Sequence, residues 1–280
     1  MDSLVGTRWL AEELGAGDLR VIDASWHLPD TGRDAAGEYR EGHIPGAVFL
    51  DLGTLVDPTA PFDNTLPDAV AFANRMQELG IGEGRRVVLY DDSAVKSAAR
   101  AWFMLRMFGI RDVAILDGGL AKWKADGHEV AKGRDELPYR HFIARTDLSR
   151  LRSKTELLAN LSTQVEQVVD ARGPSRFAGS DPEPRPGVSP GHIPAARNVA
   201  YGSLFNPDGT YRTLPELRAA FEQAGLDLAR PIVSTCGSGI TACVLIFALH
   251  LLGKEDVALY DGSWAEWGTD PDTPKALGAA

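Results

Sequence analysis

The chain is poor in cysteine: only Cys236 and Cys243 occur among its 280 residues. Two thiols cannot form a disulfide framework, and a separation of seven is not a metal-ligand spacing, so the sequence reads as one made for a reducing compartment, the cytoplasm. Long hydrophobic runs are also missing. The longest unbroken apolar stretch, Ala242 to Leu249, falls far short of the ~20 residues that span a bilayer. Met1-Asp2-Ser3-Leu4 has neither a basic nor an apolar leader region, so no signal peptide is read there. Positive charge is scarce, 29 Lys and Arg against 39 Asp and Glu, for a net charge of −10. Such a field repels nucleic acid and anionic membranes, and neither is an expected partner. A small anionic substrate would need a local basic pocket. No motif implies a metal or an organic cofactor.

What the chain does have is a copy of itself. Gly42-His43-Ile44-Pro45 returns as Gly191-His192-Ile193-Pro194, Val21-Ile22-Asp23-Ala24 as Val168-Val169-Asp170-Ala171, and Asp117-Gly118…Trp123 as Asp261-Gly262…Trp267. A period of about 145 residues is a domain duplication, since solenoid repeats run to roughly 20–50 residues. Within each copy, short apolar runs such as Val87–Tyr90 and Pro231–Thr235 suit buried strands, and Ser97–Phe108 and Thr241–Leu252 suit helices stopped by Gly109 and Gly253. Strand, helix, strand at this spacing predicts an α/β fold with parallel sheets flanked by helices. The boundaries are set at 1–130 and 153–280, with residues 131–152 as linker. The Gly-His-Ile-Pro turns read as shared scaffold, and Trp123, Trp264 and Trp267 as packing.

The two copies differ at one strand-to-helix junction. An offset of 144 pairs Gly109 with Gly253 and sets Asp92 opposite Cys236. The second copy also carries Gly237, Ser238 and Gly239, followed by Ile240 and Thr241, against Ser93, Ala94 and Val95 in the first. Ligands of open α/β sheets bind at this carboxyl end of the strands. Glycines let backbone N–H groups turn inward around one point, and with a helix N-terminus behind them they favour a thiolate and then an anionic persulfide. Cys236 therefore reads as a nucleophile that carries sulfur. Cys243, two turns into an apolar helix, reads as a small core residue.

With these motifs in hand, the chain resembles the tandem-domain rhodanese family, and within it the 3-mercaptopyruvate sulfurtransferases. The resemblance runs from about Trp9 to Asp270. It rests on Cys236-Gly237-Ser238-Gly239-Ile240-Thr241-Ala242, on Glu183-Pro184-Arg185-Pro186-Gly187, and on both Gly-His-Ile-Pro turns. It implies two tandem rhodanese-like domains, the first catalytically degenerate. It implies that Cys236 takes sulfur from 3-mercaptopyruvate and passes it to cyanide or a thiol such as thioredoxin or a small thiol. Ser238 would then serve proton relay, and Arg176 and Arg185 would grip the substrate's carboxylate and keto oxygen. Guanidinium suits that task because it stays charged and binds paired oxygens bidentately. Arg172 reads instead as a structural ion pair.

Three other activities are weighed against that one. A thiosulfate sulfurtransferase would resemble the branch with basic residues after the cysteine, where this chain has neutral Gly237 and Ser238. Phosphatase chemistry on this fold needs Cys-x5-Arg, and the sixth residue after Cys236 is Ala242. A non-catalytic sulfur-sensing module would not need Cys236, Arg176 and Arg185 together. One departure from the family stands out. Its proton-relay histidine falls in a segment that here reads Asp63-Asn64-Thr65-Leu66-Pro67, and an asparagine is neither acid nor base. Asn64 either hydrogen-bonds in the site or is an ordinary loop residue. Asp51 matches the family's aspartate only after a one-residue insertion.

Overall fold

The computed structural model describes residues 1–134 and 138–279, so three residues of the expected linker, 135–137, lie outside the described residues. The chain forms two compact units. One comprises Met1–Pro58, Leu66–Asp147 and Asn206–Tyr211, and the other Thr59–Thr65, Leu148–Phe205 and Arg212–Ala280. Each unit thus takes a short segment from the half of the sequence that otherwise builds its neighbour.

The first unit contains strands β1 (Leu4–Val5), β2 (Leu19–Asp23), β3 (Val48–Phe49), β4 (Arg86–Tyr90) and β5 (Val113–Leu116), and helices α1 (Thr7–Glu13), α2 (Ala35–Glu41), α3 (Ala69–Glu78), α4 (Ala98–Met107) and α5 (Gly119–Ala125). The second contains β6 (Leu151–Arg152), β7 (Gln167–Asp170), β8 (Arg197–Asn198), β9 (Ile232–Thr235) and β10 (Val257–Tyr260), and α6 (Lys154–Thr163), α7 (Pro174–Ala178), α8 (Leu214–Gln223), α9 (Ala242–Leu251) and α10 (Ser263–Trp267). The sheet orders are β1-β5-β4-β2-β3 and β6-β10-β9-β7-β8, all parallel, so the sequence duplication is a duplication of topology. Leu151 and Arg152, read as the end of the linker, are strand β6.

The central strands are apolar because both faces are covered. Ile232, Val233, Ser234 and Thr235 are all buried, and α9 buries every residue from Ala242 to Leu249. A helix apolar all round has no face to give to water. The second core gathers Val233, Phe177, Ile193, Tyr260, Trp264 and Trp267, and the first gathers Val88, Tyr90, Ile44, Leu116 and Trp123. Both Gly-His-Ile-Pro turns are fastened alike. His43 Nδ1 lies 2.8 Å from the Tyr39 carbonyl and His192 Nδ1 2.9 Å from that of Phe177. A carbonyl can only accept, so each Nδ1 carries the hydrogen. Each ring also stacks on its helix aromatic, at 4.2 and 3.8 Å. Each turn further pairs by an antiparallel bridge with a later segment, at Ala131 and Ala276.

In the second unit the chain leaves β7 toward β8 and returns to β9 on the other side of β7. The carboxyl ends of β7 and β9 therefore flank the crevice where such sheets bind ligands. Arg172 follows β7, and Cys236 follows β9.

Candidate active site

Cys236 is 2 % exposed, at the root of the loop that joins β9 to α9. The loop is tied outward through its carbonyls: Cys236 O accepts from Trp264 N–H at 2.9 Å and Gly237 O from Ala265 N–H at 2.9 Å. In a trans peptide the N–H points opposite to the C=O. The Gly237 and Ser238 N–H groups are thus turned to the side opposite these carbonyls. Cys236 N–H itself donates to Ser263 Oγ at 3.3 Å. Gly239 has φ +80°, a conformation that costs a side-chain-bearing residue roughly 1–2 kcal/mol. Cys243, fully buried, directs its thiol to Gly239 O at 3.2 Å from the first turn of α9, so it braces the loop as well as filling the core.

The arginines expected to hold substrate converge on this loop. A Cβ at Gly237 would stand 3.4 Å from Arg176 Nη2 and 4.0 Å from Arg185 Nη1, ordinary contact distances, so both guanidiniums border the loop at this residue. Arg176, on α7, donates to Glu183 Oε2 at 2.5 Å, and its buried Nε has no protein partner. Glu183 Oε1 accepts from Arg172 Nη1 at 2.7 Å. Arg172 is 1 % exposed and also binds Asp170, the Gly191 carbonyl and, at 4.6 Å, the face of Trp264. Burial opposes its charge, but Asp170 and Glu183 hold its pKa above the usual arginine value. With every direction taken, Arg172 is the structural ion pair expected of it. Tyr201 lies in the segment after β8. Burial first and then the charge of Cys236 push its phenol above the ordinary tyrosine range.

Asn64 belongs to the second unit through segment Thr59–Thr65. Its Nδ2 donates to Ser238 Oγ at 3.1 Å, and its neighbour Asp63 lies 3.6 Å from Arg185 Nε. The second unit thus gathers Cys236, Ser238, Arg176, Arg185 and Asn64. Asp51 lies in the first unit, where its carboxylate accepts from Gly53 N–H at 3.0 Å. Two contributors escaped the sequence reading: Glu183 as the shared anion and Ser263 as the anchor of Cys236. The repeated Asp-Gly…Trp segment is the signal that could have found Ser263, since it recurs after the last strand of each copy.

The first unit inverts the charges. Asp92 stands where the second has Cys236, and Arg33 donates to its Oδ2 at 3.1 Å and to Glu38 Oε2 at 2.7 Å. His27 Nε2 lies 2.9 Å from the same Glu38 oxygen. A carboxylate clamped by its own arginine fills this junction, and it offers no nucleophilic sulfur.

Comparison with known proteins finds relatives along nearly the whole chain. The profile of the rhodanese-like domain matches residues 7–126 and again 153–270. The chain is 42 % identical over 271 residues to 3-mercaptopyruvate sulfurtransferase of Mus musculus, covering 95 % of this chain and 91 % of that protein. It is 41 % identical over 272 residues to thiosulfate sulfurtransferase of Cricetulus griseus, with 95 % and 91 % covered. The crystal structure of a 3-mercaptopyruvate sulfotransferase from Escherichia coli superposes with a TM-score of 0.87 at 40 % identity, over 94 % of this chain and 99 % of that one. With two matched domains of identical topology and relatives alike across nearly its full length, the chain belongs to the rhodanese-like family of sulfurtransferases.

Proposed function

We propose that the chain is a sulfurtransferase that takes sulfur from 3-mercaptopyruvate onto Cys236 and delivers it to a thiol. The observation that carries this choice of donor is the convergence of Arg176 and Arg185 on Gly237, one residue from the nucleophile. Two guanidiniums side by side match the adjacent carboxylate and keto oxygens of an α-keto acid. In the first step the Cys236 thiolate attacks the donor's sulfur. A sulfur–sulfur bond forms, the carbon–sulfur bond breaks, and the electron pair leaves with C3 as the enolate of pyruvate. The proton of the donor thiol passes to C3, which leaves pyruvate and an anionic persulfide. The loop's inward N–H groups and the N-terminus of α9 stabilise that anion. In the second step a thiolate, from thioredoxin or a small thiol, attacks the outer sulfur. It leaves with that sulfur and restores the Cys236 thiolate. Cyanide can play the same part and leave as thiocyanate.

A second donor, thiosulfate, is favoured by the relative named for it at 41 % identity. Against it, the two residues after Cys236 are uncharged, and thiosulfate concentrates its charge next to the sulfur. Two free cysteines and a reaction that consumes thiols support a cytoplasmic setting. Among the described residues no helix is long and apolar enough to cross a membrane. The deciding experiment compares pyruvate release from 3-mercaptopyruvate with thiocyanate formation from thiosulfate on one preparation. A higher kcat/KM for thiosulfate would overturn the donor assignment.

A further inference from the structure

We propose that the first unit carries a binding site of its own, for a small organic anion: a phosphate or carboxylate head on a flat apolar body. The site is a cavity of about 610 Å3 bordered by α2, β3, α3 and the segment after Ala131. That volume lies within the range of pockets that hold small molecules. Tyr39 and Phe49 form its aromatic wall, with ring centres 5.6 Å apart. Phe49 is only half buried, so it leaves ring surface for a ligand to cover. Arg40, Arg75 and Arg134 line the same cavity, against the carboxylates of Asp51 and Glu78. The excess there is positive, in a chain of net charge −10.

The duplicated scaffold does not require these arginines. Gly133 N–H donates to the Arg40 carbonyl at 2.9 Å, just as Gly278 N–H donates to that of Ala178 at 2.9 Å. Helices α3 and α8 are equally long, and their registers set Arg75 opposite Ala220. The bridges at Ala131 and Ala276 set Arg134 opposite Ala279. The strand registers set Phe49 opposite Asn198. All three arginines therefore stand where the other unit has alanine. A fold that closes with alanine gains no packing from three long cations around one hollow, whereas a bound anion accounts for all three. Their present contacts are ones an anion can displace. Arg40 Nη2 lies 3.7 Å from Asp34 Oδ2, with both side chains exposed, and Arg75 Nε lies 3.4 Å from the exposed Glu78. Arg75 Nη1 and Nη2 both donate to Thr54 Oγ1 at 3.3 Å, which steadies the guanidinium at the cavity wall. A guanidinium fork matches the paired oxygens of a carboxylate or phosphate, and the ring wall takes the apolar body.

Isothermal titration of the full chain tests this with four probes: phenyl phosphate, benzoate, inorganic phosphate and phenol. Phenyl phosphate or benzoate should bind once per chain, about tenfold or more tighter than inorganic phosphate and phenol. The tighter of the two identifies the head group. Substituting Arg40, Arg75 and Arg134 together by alanine reproduces the second unit at each position. That variant should keep its thermal transition and its pyruvate release, and lose affinity by about tenfold or more. Arg75→Ala and Arg134→Ala singly should each weaken binding several-fold. Phe49→Asn should weaken the aromatic anions and leave inorganic phosphate unchanged. Arg176→Ala, in the other unit, should leave the affinity as it is, which separates this cavity from the surroundings of Cys236. Four outcomes would overturn the proposal: no binding of either aromatic anion at millimolar concentration, equal binding of inorganic phosphate, unchanged affinity in the alanine variants, or loss of binding in Arg176→Ala.

Discussion

Arg176 Nη2 stands 2.5 Å from Glu183 Oε2, and this contact aims the guanidinium that borders Gly237. Glu183 is 3 % exposed and holds Arg172 with its other oxygen. Removing it leaves one buried and one half-buried arginine short of an anion. Glu183→Ala should therefore cost about 3–5 kcal/mol, as loss of one partner from a buried ion pair does. Glu183→Gln keeps the shape and should cost less, while raising KM more than it lowers kcat. A glutamine variant with wild-type KM would show that Glu183 does not aim Arg176.

The two substrate arginines should separate binding from chemistry. Arg176→Ala or Arg185→Ala loses charge-assisted hydrogen bonds worth about 1.5–3 kcal/mol, which is roughly a 10–150-fold rise in KM. Steady-state kinetics with 3-mercaptopyruvate provide the check. An unchanged KM in both variants would remove them from the substrate's path.

The two cysteines should respond in opposite ways. Cys236→Ser should abolish pyruvate release and leave the thermal transition in place. Cys243→Ser keeps a donor to Gly239 O within the fully buried start of α9, and turnover should stay within a few-fold of wild type. Intact mass after exposure to donor should rise by one sulfur in wild type and in Cys243→Ser, and not in Cys236→Ser. A persulfide in the Cys236→Ser protein would place the sulfur elsewhere.

Stability should carry a pH signature from the first unit. Asp23 ends β2 at the position that Asp170 holds at the end of β7, but Ser25 stands where Arg172 stands, so no arginine neutralises it. Burial first, with the charge of Asp91 adding to it and hydrogen bonds from Ser25 and Tyr90 opposing it, raises its pKa from 3.8 to about 6. The folded chain then keeps a proton that the unfolded chain has already released. The stabilising contribution is complete below about pH 4 and is lost as pH rises through 6, at most about 3 kcal/mol for a shift of about two units. Asp23→Asn cannot ionise. The difference in Tm, Asp23→Asn minus wild type, should therefore grow from pH 4 to pH 7. A constant difference would contradict the raised pKa.

The duplicated fold was legible because buried parallel strands are short apolar runs and because each feature occurs twice. The Val168–Val169–Asp170 run, the glycines after the helices and the offset that set Asp92 against Cys236 could all be read without coordinates. Arg172 was also legible, since an arginine directly after a strand that ends in aspartate has its partner beside it. Ser263 was missed because its partner is distant in sequence: it accepts from Cys236 N–H across 27 residues. Asn64 was offered as a possible hydrogen-bonding residue, but its partner Ser238, 174 residues away, could not be named from the sequence. Glu183 is ordinary in its local context, and only the folded loop after β7 sets it between Arg172 and Arg176. No periodicity or spacing rule reports such contacts.

The interleaved segments carry a last consequence, for inheritance. A gene duplication usually leaves two modules that could be parted again by fission between them. Here a cut through residues 131–152 would send Asp63 and Asn64 away with the half that has no thiol, and Asn206–Tyr211 away with the half that has it. The fragment left with Cys236 would keep that cysteine, its loop and both arginines, yet lose Asn64, whose Nδ2 donates to Ser238 Oγ. The second unit is thus completed by seven residues, Thr59–Thr65, that the other half of the sequence supplies.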